Sequence, residues 1–120
     1  MERYIREKIN KRFEYLDRNL DDDQNPKIYY KTKKAFKKFL KLVNFKYTKN
    51  EFIGVDHDGH VCIETDYPNT RHLHIMLIFG CNPFSHYIGI CFPYEMRKRE
   101  DKYENISLSK IAEIYKNEMY

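Results

Sequence analysis

Tryptophan is absent from this 120-residue sequence, and glycine, proline and cysteine are scarce, at four, four and three residues. So little glycine leaves no glycine-rich phosphate loop, and no Pro/Gly/Ser linker interrupts the chain, so residues 1–120 read as a single domain. Nucleophile-elbow and HExxH motifs are missing as well, and no cofactor or metal is implied. The cysteines Cys62, Cys81 and Cys91 lack CxxC spacing, which argues against a disulfide scaffold and against a zinc knuckle. No run approaches the roughly 20 uncharged residues of a membrane span, so no membrane partner is expected. The N-terminal MERYIREKINKRF has no apolar core of the secretory type, which makes a cytoplasmic protein with reduced thiols the expectation.

Charge and aromatic rings are what the chain has in quantity. Residues 1–50 carry a net +8, residues 51–96 a net −5 and residues 97–120 a net +1. Such an asymmetry points to an anionic partner or to two layers of one fold attracting each other. The 11 tyrosines and 8 phenylalanines exceed what one small apolar layer can hold, and tyrosine concentrates at protein interfaces.

Periodicity divides the chain into helices and strands. Ile5, Ile9, Phe13, Leu16 and Leu20 recur at steps of three and four, predicting a helix over 2–20. Asn25-Pro26 supplies an N-cap and a first-turn proline for a second helix, whose apolar stripe is Tyr29, Thr32, Phe36, Phe39, Leu40 and Val43. Its opposite side carries Lys27, Lys31, Lys34, Lys38 and Lys41. From Phe52 the period becomes two, in FIGV, VCIET, HLHIMLIF and YIGICF, separated by short turns. A last helix follows Arg97-Lys98-Arg99, capped by Asn105 or Ser107. The predicted fold is α+β, α-α-β-β-β-β-α, with two N-terminal helices and one C-terminal helix on one face of a four-stranded antiparallel meander.

One sheet face is then apolar, formed by Ile53, Val55, Val61, Ile63, Leu73, Ile75, Leu77, Ile90 and Phe92, with Val55 opposite Val61, Ile75 opposite Ile90 and Leu77 opposite Ile88. The other mixes ionisable and apolar groups. On it, Glu64 is expected opposite His74 and Asp66 opposite His72, with Cys91 beyond His74. A Glu64, His74, Cys91 row has the composition of an activated cysteine or a small acid–base site, yet its members also fit cross-strand charge pairs and a small apolar filler. The same face offers Phe52, Met76, Ile78, Tyr87 and, nearby, Tyr94 as partner-binding residues. Lys31, Lys34, Lys38 and Lys41 with Arg97, Lys98 and Arg99 form a candidate nucleic-acid footprint, although lysine outnumbers arginine 15 to 7 and bidentate phosphate recognition favours arginine.

The expectation is a small binding protein whose partner is another protein, a second copy of itself included. In size and composition it resembles accessory proteins of phages and mobile elements, such as antitoxins and inhibitors of host defence nucleases. The alternatives are a small RNase-like toxin using a His/Glu site and a nucleic-acid-binding regulator. The missing catalytic motifs favour a non-enzyme.

Overall fold

The computed structural model describes residues 2–45, 52–67, 73–92 and 99–119. Along the chain run α1 (Arg3–Arg18), α2 (Pro26–Leu42), β1 (Phe52–Val55), β2 (Val61–Tyr67), β3 (Leu73–Ile78), β4 (His86–Phe92), β5 (Arg99–Ile106) and α3 (Leu108–Met119). Both N-terminal helices form where their apolar stripes place them. α1 buries Ile5, Ile9, Phe13 and Leu16. At the start of α2 the Asn25 side chain accepts the N–H groups of Lys27 and Ile28, and Pro26 occupies a position where its missing N–H costs nothing. α2 buries Tyr29, Thr32, Ala35, Phe36 and Phe39, and its five predicted outward lysines are all exposed.

Polar contacts register these helices against each other and against the sheet. Asp17 on α1 accepts from the Tyr29 hydroxyl and from Lys33 Nζ, the latter at 3.0 Å. Partial burial pushes the Asp17 carboxyl up, but the Tyr29 hydroxyl and the Lys33 ammonium outweigh it and the net shift is downward. Thr32, fully buried, donates to the Ile28 carbonyl and accepts the Val61 N–H at 3.0 Å, which ties α2 to the start of β2.

The strands pair antiparallel in sequential order, β1-β2-β3-β4-β5. The sheet therefore has one strand more than the predicted four. β5 escapes detection because REDKYENI carries five charged side chains and no apolar alternation. It is an edge strand with a neighbour on one side only, and charge on an edge discourages pairing with other chains. Of the two predicted caps for α3, Ser107 is used, its hydroxyl oxygen accepting the Lys110 N–H at 3.1 Å. Asn105 instead takes a left-handed φ of 54° near the end of β5.

All three helices lie on the predicted apolar face. Ile53, Val61, Ile63, Ile75, Leu77, Ile88 and Ile90 are buried there, and Val55 packs partly exposed at the margin. Leu73 and Phe92 are described at the backbone only. Beneath α2 and α3 sits an aromatic cluster centred on Phe39, whose ring centroid is 5.6 Å from those of Phe79 and Tyr115. Phe36 and Phe45 complete it at 6.5 Å each.

The β1–β2 turn is a three-residue loop, closed by the Asp56 N–H donating to the His60 carbonyl at 2.9 Å. Gly59 takes φ +112°, and a Cβ there would lie 2.7 Å from the Asn25 carbonyl oxygen, so glycine is required both by the turn and by the docking of its tip on the start of α2.

Candidate functional site

Among the described residues no helix packs on the second face of the sheet. Cys62, Glu64, His74, Met76, Ile78, Tyr87 and Cys91 lie on it in alternation with the buried set, and each is partly exposed. Cys62, Ile78 and Tyr87 pair in one row across β2, β3 and β4, and Glu64, Met76 and Gly89 form the next, with Lys102 of β5 at its end. Cys62, Ile78, Tyr87 and Met76 are contiguous on this face, with Glu64 and His74 beside them and Lys102 on the edge strand.

The expected catalytic row is corrected by this register. Glu64 pairs with Met76, not with His74, and His74 pairs with Asp66 on one side and with Cys91 on the other. The β2–β3 ladder reaches Tyr67 and Leu73, leaving 68–72 as the connection, so the strands are offset by two residues from the predicted pairing. An offset of two preserves which side chains face inward, and in–out alternation alone cannot detect it. His72 lies outside the described residues. The row that forms is Asp66, His74, Cys91 and Glu100, of which Asp66 and Glu100 are described at the backbone only.

Of the predicted partner-binding residues, Met76, Ile78 and Tyr87 share the uncovered face. Tyr87 does not stand away from it: a Cβ on Gly89 would lie 2.6 Å from the Tyr87 hydroxyl, so the ring lies along the sheet in the trough that glycine leaves. Phe52 is in β1, paired with Glu64 and described at the backbone only, and Tyr94 lies outside the described residues.

The cysteines serve different places. Cys62 and Cys91 are separated by β3, about 10 Å across the sheet at the usual strand spacing, and face positions four residues apart on it, too far for a disulfide. Burial pushes the Cys62 thiol up to about 11, with Asp56 and Glu64 adding to the effect. Cys81 is exposed in the β3–β4 loop. Alkylation at pH 7 followed by mass spectrometry should therefore modify Cys81 first and Cys62 last. Cys91 reacting faster than Cys81, and losing that advantage in His74→Ala, would instead reveal an activated nucleophile.

The β1 edge is closed to strand addition, and charge discourages it at the β5 edge. Arg12 Nε donates to the Ile53 carbonyl at 2.8 Å, and Gln24 Nε2 donates to the carbonyls of Val55 and Asp56 at 3.2 and 3.1 Å, which occupies the outer edge of β1. The other edge is the charged β5.

Asp56, Asp58 and His60 bring ligand-type atoms within 4.8 Å of one another. Asp56 Oδ1 accepts the N–H groups of Asp58, Gly59 and His60, so this carboxylate builds the turn.

The basic candidates separate. Lys31, Lys34 and Lys38 line a cleft of about 430 Å³ between α2, the β3–β4 loop and the start of α3, while Lys41 is exposed outside it. Arg97 and Lys98 lie outside the described residues, and Arg99 opens β5 with its backbone only described. Sequence reasoning missed two contributors to this cleft, His86 and Ser109. A histidine at the start of a strand and a serine at a helix start carry no signal until the fold brings them beside the lysines. Comparison with models of protein families, with curated proteins and with solved structures found no match.

Proposed function

We propose that the protein is a non-catalytic regulator or inhibitor, of the antitoxin or defence-inhibitor type, that docks on a partner protein through the uncovered sheet face. The observation that carries this reading is the contiguous Cys62, Met76, Ile78 and Tyr87 surface, apolar, left bare by all three helices and bordered by Glu64 and Lys102. A contiguous apolar patch interleaved with a few charged groups suits a protein–protein interface. The sealed β1 edge and the charged β5 edge support docking by the face rather than by strand addition. The acid–base alternative rests on Glu64 beside His74, but Glu64 stands opposite Met76 and the residue paired with His74 is Asp66.

Affinity capture from the native host tests the proposal. The wild-type protein should retain one partner in near-equal amount after nuclease treatment. Met76→Asp should lose that partner while the protein stays folded, and the combined Lys31→Gln, Lys34→Gln, Lys38→Gln and Lys41→Gln variant should keep it. If the retained partner is a second copy, sedimentation will show a dimer that Met76→Asp dissociates. Binding that nuclease abolishes, or that the lysine variant loses and Met76→Asp keeps, overturns the proposal in favour of a nucleic-acid-binding regulator.

A further inference from the structure

We infer that the cleft between α2, the β3–β4 loop and the N-terminus of α3 binds the phosphate group of a phosphomonoester of nucleotide size. This site is separate from the uncovered sheet face and does not depend on it.

Charge is the first observation. Lys31, Lys34 and Lys38 lie three and four residues apart, so α2 presents their ammonium groups along one side of the cleft, and among the described residues no carboxylate lines it. Among the described residues none of the three has an acidic partner, whereas Lys33 on the same helix is paired with Asp17. Three adjacent cations without counter-charges repel one another, and a bound dianion relieves that repulsion.

Backbone donors converge on the same space. In the first turn of α3 the Ser107 hydroxyl oxygen takes the Lys110 N–H and the Ser107 carbonyl takes the Ile111 N–H. The N–H groups of Leu108 and Ser109 are left over, and both residues line the cleft. They sit at the positive end of the helix dipole, where oxyanions bind.

The third observation is a nearly buried imidazole whose second nitrogen has no partner among the described residues. His86 lines the cleft and is only 3% exposed. Its Nδ1 accepts the Gly80 N–H at 3.0 Å, which places the ring proton on Nε2. Among the described residues no acceptor meets Nε2. Because His86 lines the cleft, a phosphate oxygen there offers this nitrogen a charged acceptor. Burial also pushes the His86 pKa down, so the ring supplies a neutral donor beside the charged lysines.

Size and surroundings select the ligand class. About 430 Å³ exceeds what a bare phosphate fills and falls within the range of small-ligand clefts. A second depression shares Lys31 and Lys34 and is lined by Tyr30, whose ring is 53% exposed and offers a stacking surface for a base.

Titration of 15N-labelled protein with inorganic phosphate, adenosine 5′-monophosphate, adenosine and a short oligonucleotide with and without a 5′-phosphate, at low ionic strength, tests the site. The monophosphate should produce saturating shifts at the Leu108 and Ser109 amides and at the His86 ring, and adenosine should not. Lys34→Gln and Lys38→Gln, at exposed positions, should each weaken binding about tenfold while leaving the remaining spectrum unchanged. A free nucleotide is the source if the monophosphate binds more tightly than the 5′-phosphorylated oligonucleotide, and a strand end is the source if the order is reversed. No saturation by about 10 mM monophosphate, equal response to adenosine, or shifts that survive in the double lysine variant overturns the inference.

Discussion

Ile75→Asp is expected to abolish folding, while Met76→Asp, one residue further along β3, leaves the fold intact. Ile75 is fully buried between strand neighbours Thr65 and Ile90 on the helix-covered face. A carboxylate there loses its hydration and gains no donor, a penalty of several kcal/mol. Added to the lost burial of an isoleucine, it consumes most of the about 5–15 kcal/mol by which domains of this size are stable. Met76 points to the uncovered face, is partly exposed, and its carboxylate replacement remains hydrated. Circular dichroism and thermal unfolding of the two purified variants check the contrast. Comparable unfolding by both substitutions would mean that the sheet is buried on its two sides, and the docking proposal would fall with that result.

Phe39→Ala should be the most damaging truncation that still leaves a folded protein to measure. The Phe39 ring is fully buried and touches rings from three parts of the chain: Phe36 on its own helix, Phe79 just after β3, and Tyr115 on α3. Phe45 closes the remaining side. Removing it deletes the contact through which α2, α3 and the sheet meet, and the rigid rings around it, held in stacked, tilted and edge-to-face contacts, refill the space only in part. The expected loss is about 3–5 kcal/mol, read as a lower denaturation midpoint at unchanged slope. A loss under about 1 kcal/mol would show that the neighbouring rings close over the gap.

Helices, inward strand residues and turns were legible in the residues because each follows from local chemistry. Asn25-Pro26 marks a helix start through its own hydrogen bonds, and Gly59 marks a turn through its own backbone freedom. Features that depend on a distant segment were not legible. β5 needs no apolar alternation because β4 and the solvent define it, so its charges read as a helix lead-in. The Glu64 pairing failed by two residues because alternation repeats with that interval. The cleft was half legible: the lysine side of α2 was clear, whereas His86 becomes relevant only when the β3–β4 turn folds back and Gly80 claims its Nδ1.

The strictly sequential strand order has a kinetic consequence. Every ladder joins neighbours in the chain, so the sheet can zip from one hairpin to the next with little loop-closure entropy at each step. The helices have farther to come. α1 meets β1 through Arg12 and Ile53, 41 residues apart, and α2 meets β2 through Thr32 and Val61, 29 residues apart. A transition state built on the hairpins, with the helices docking afterwards, follows from that difference in closure distance. Substitutions within the β2–β3–β4 ladders would then slow folding, and those at Arg12 or Thr32 would chiefly hasten unfolding.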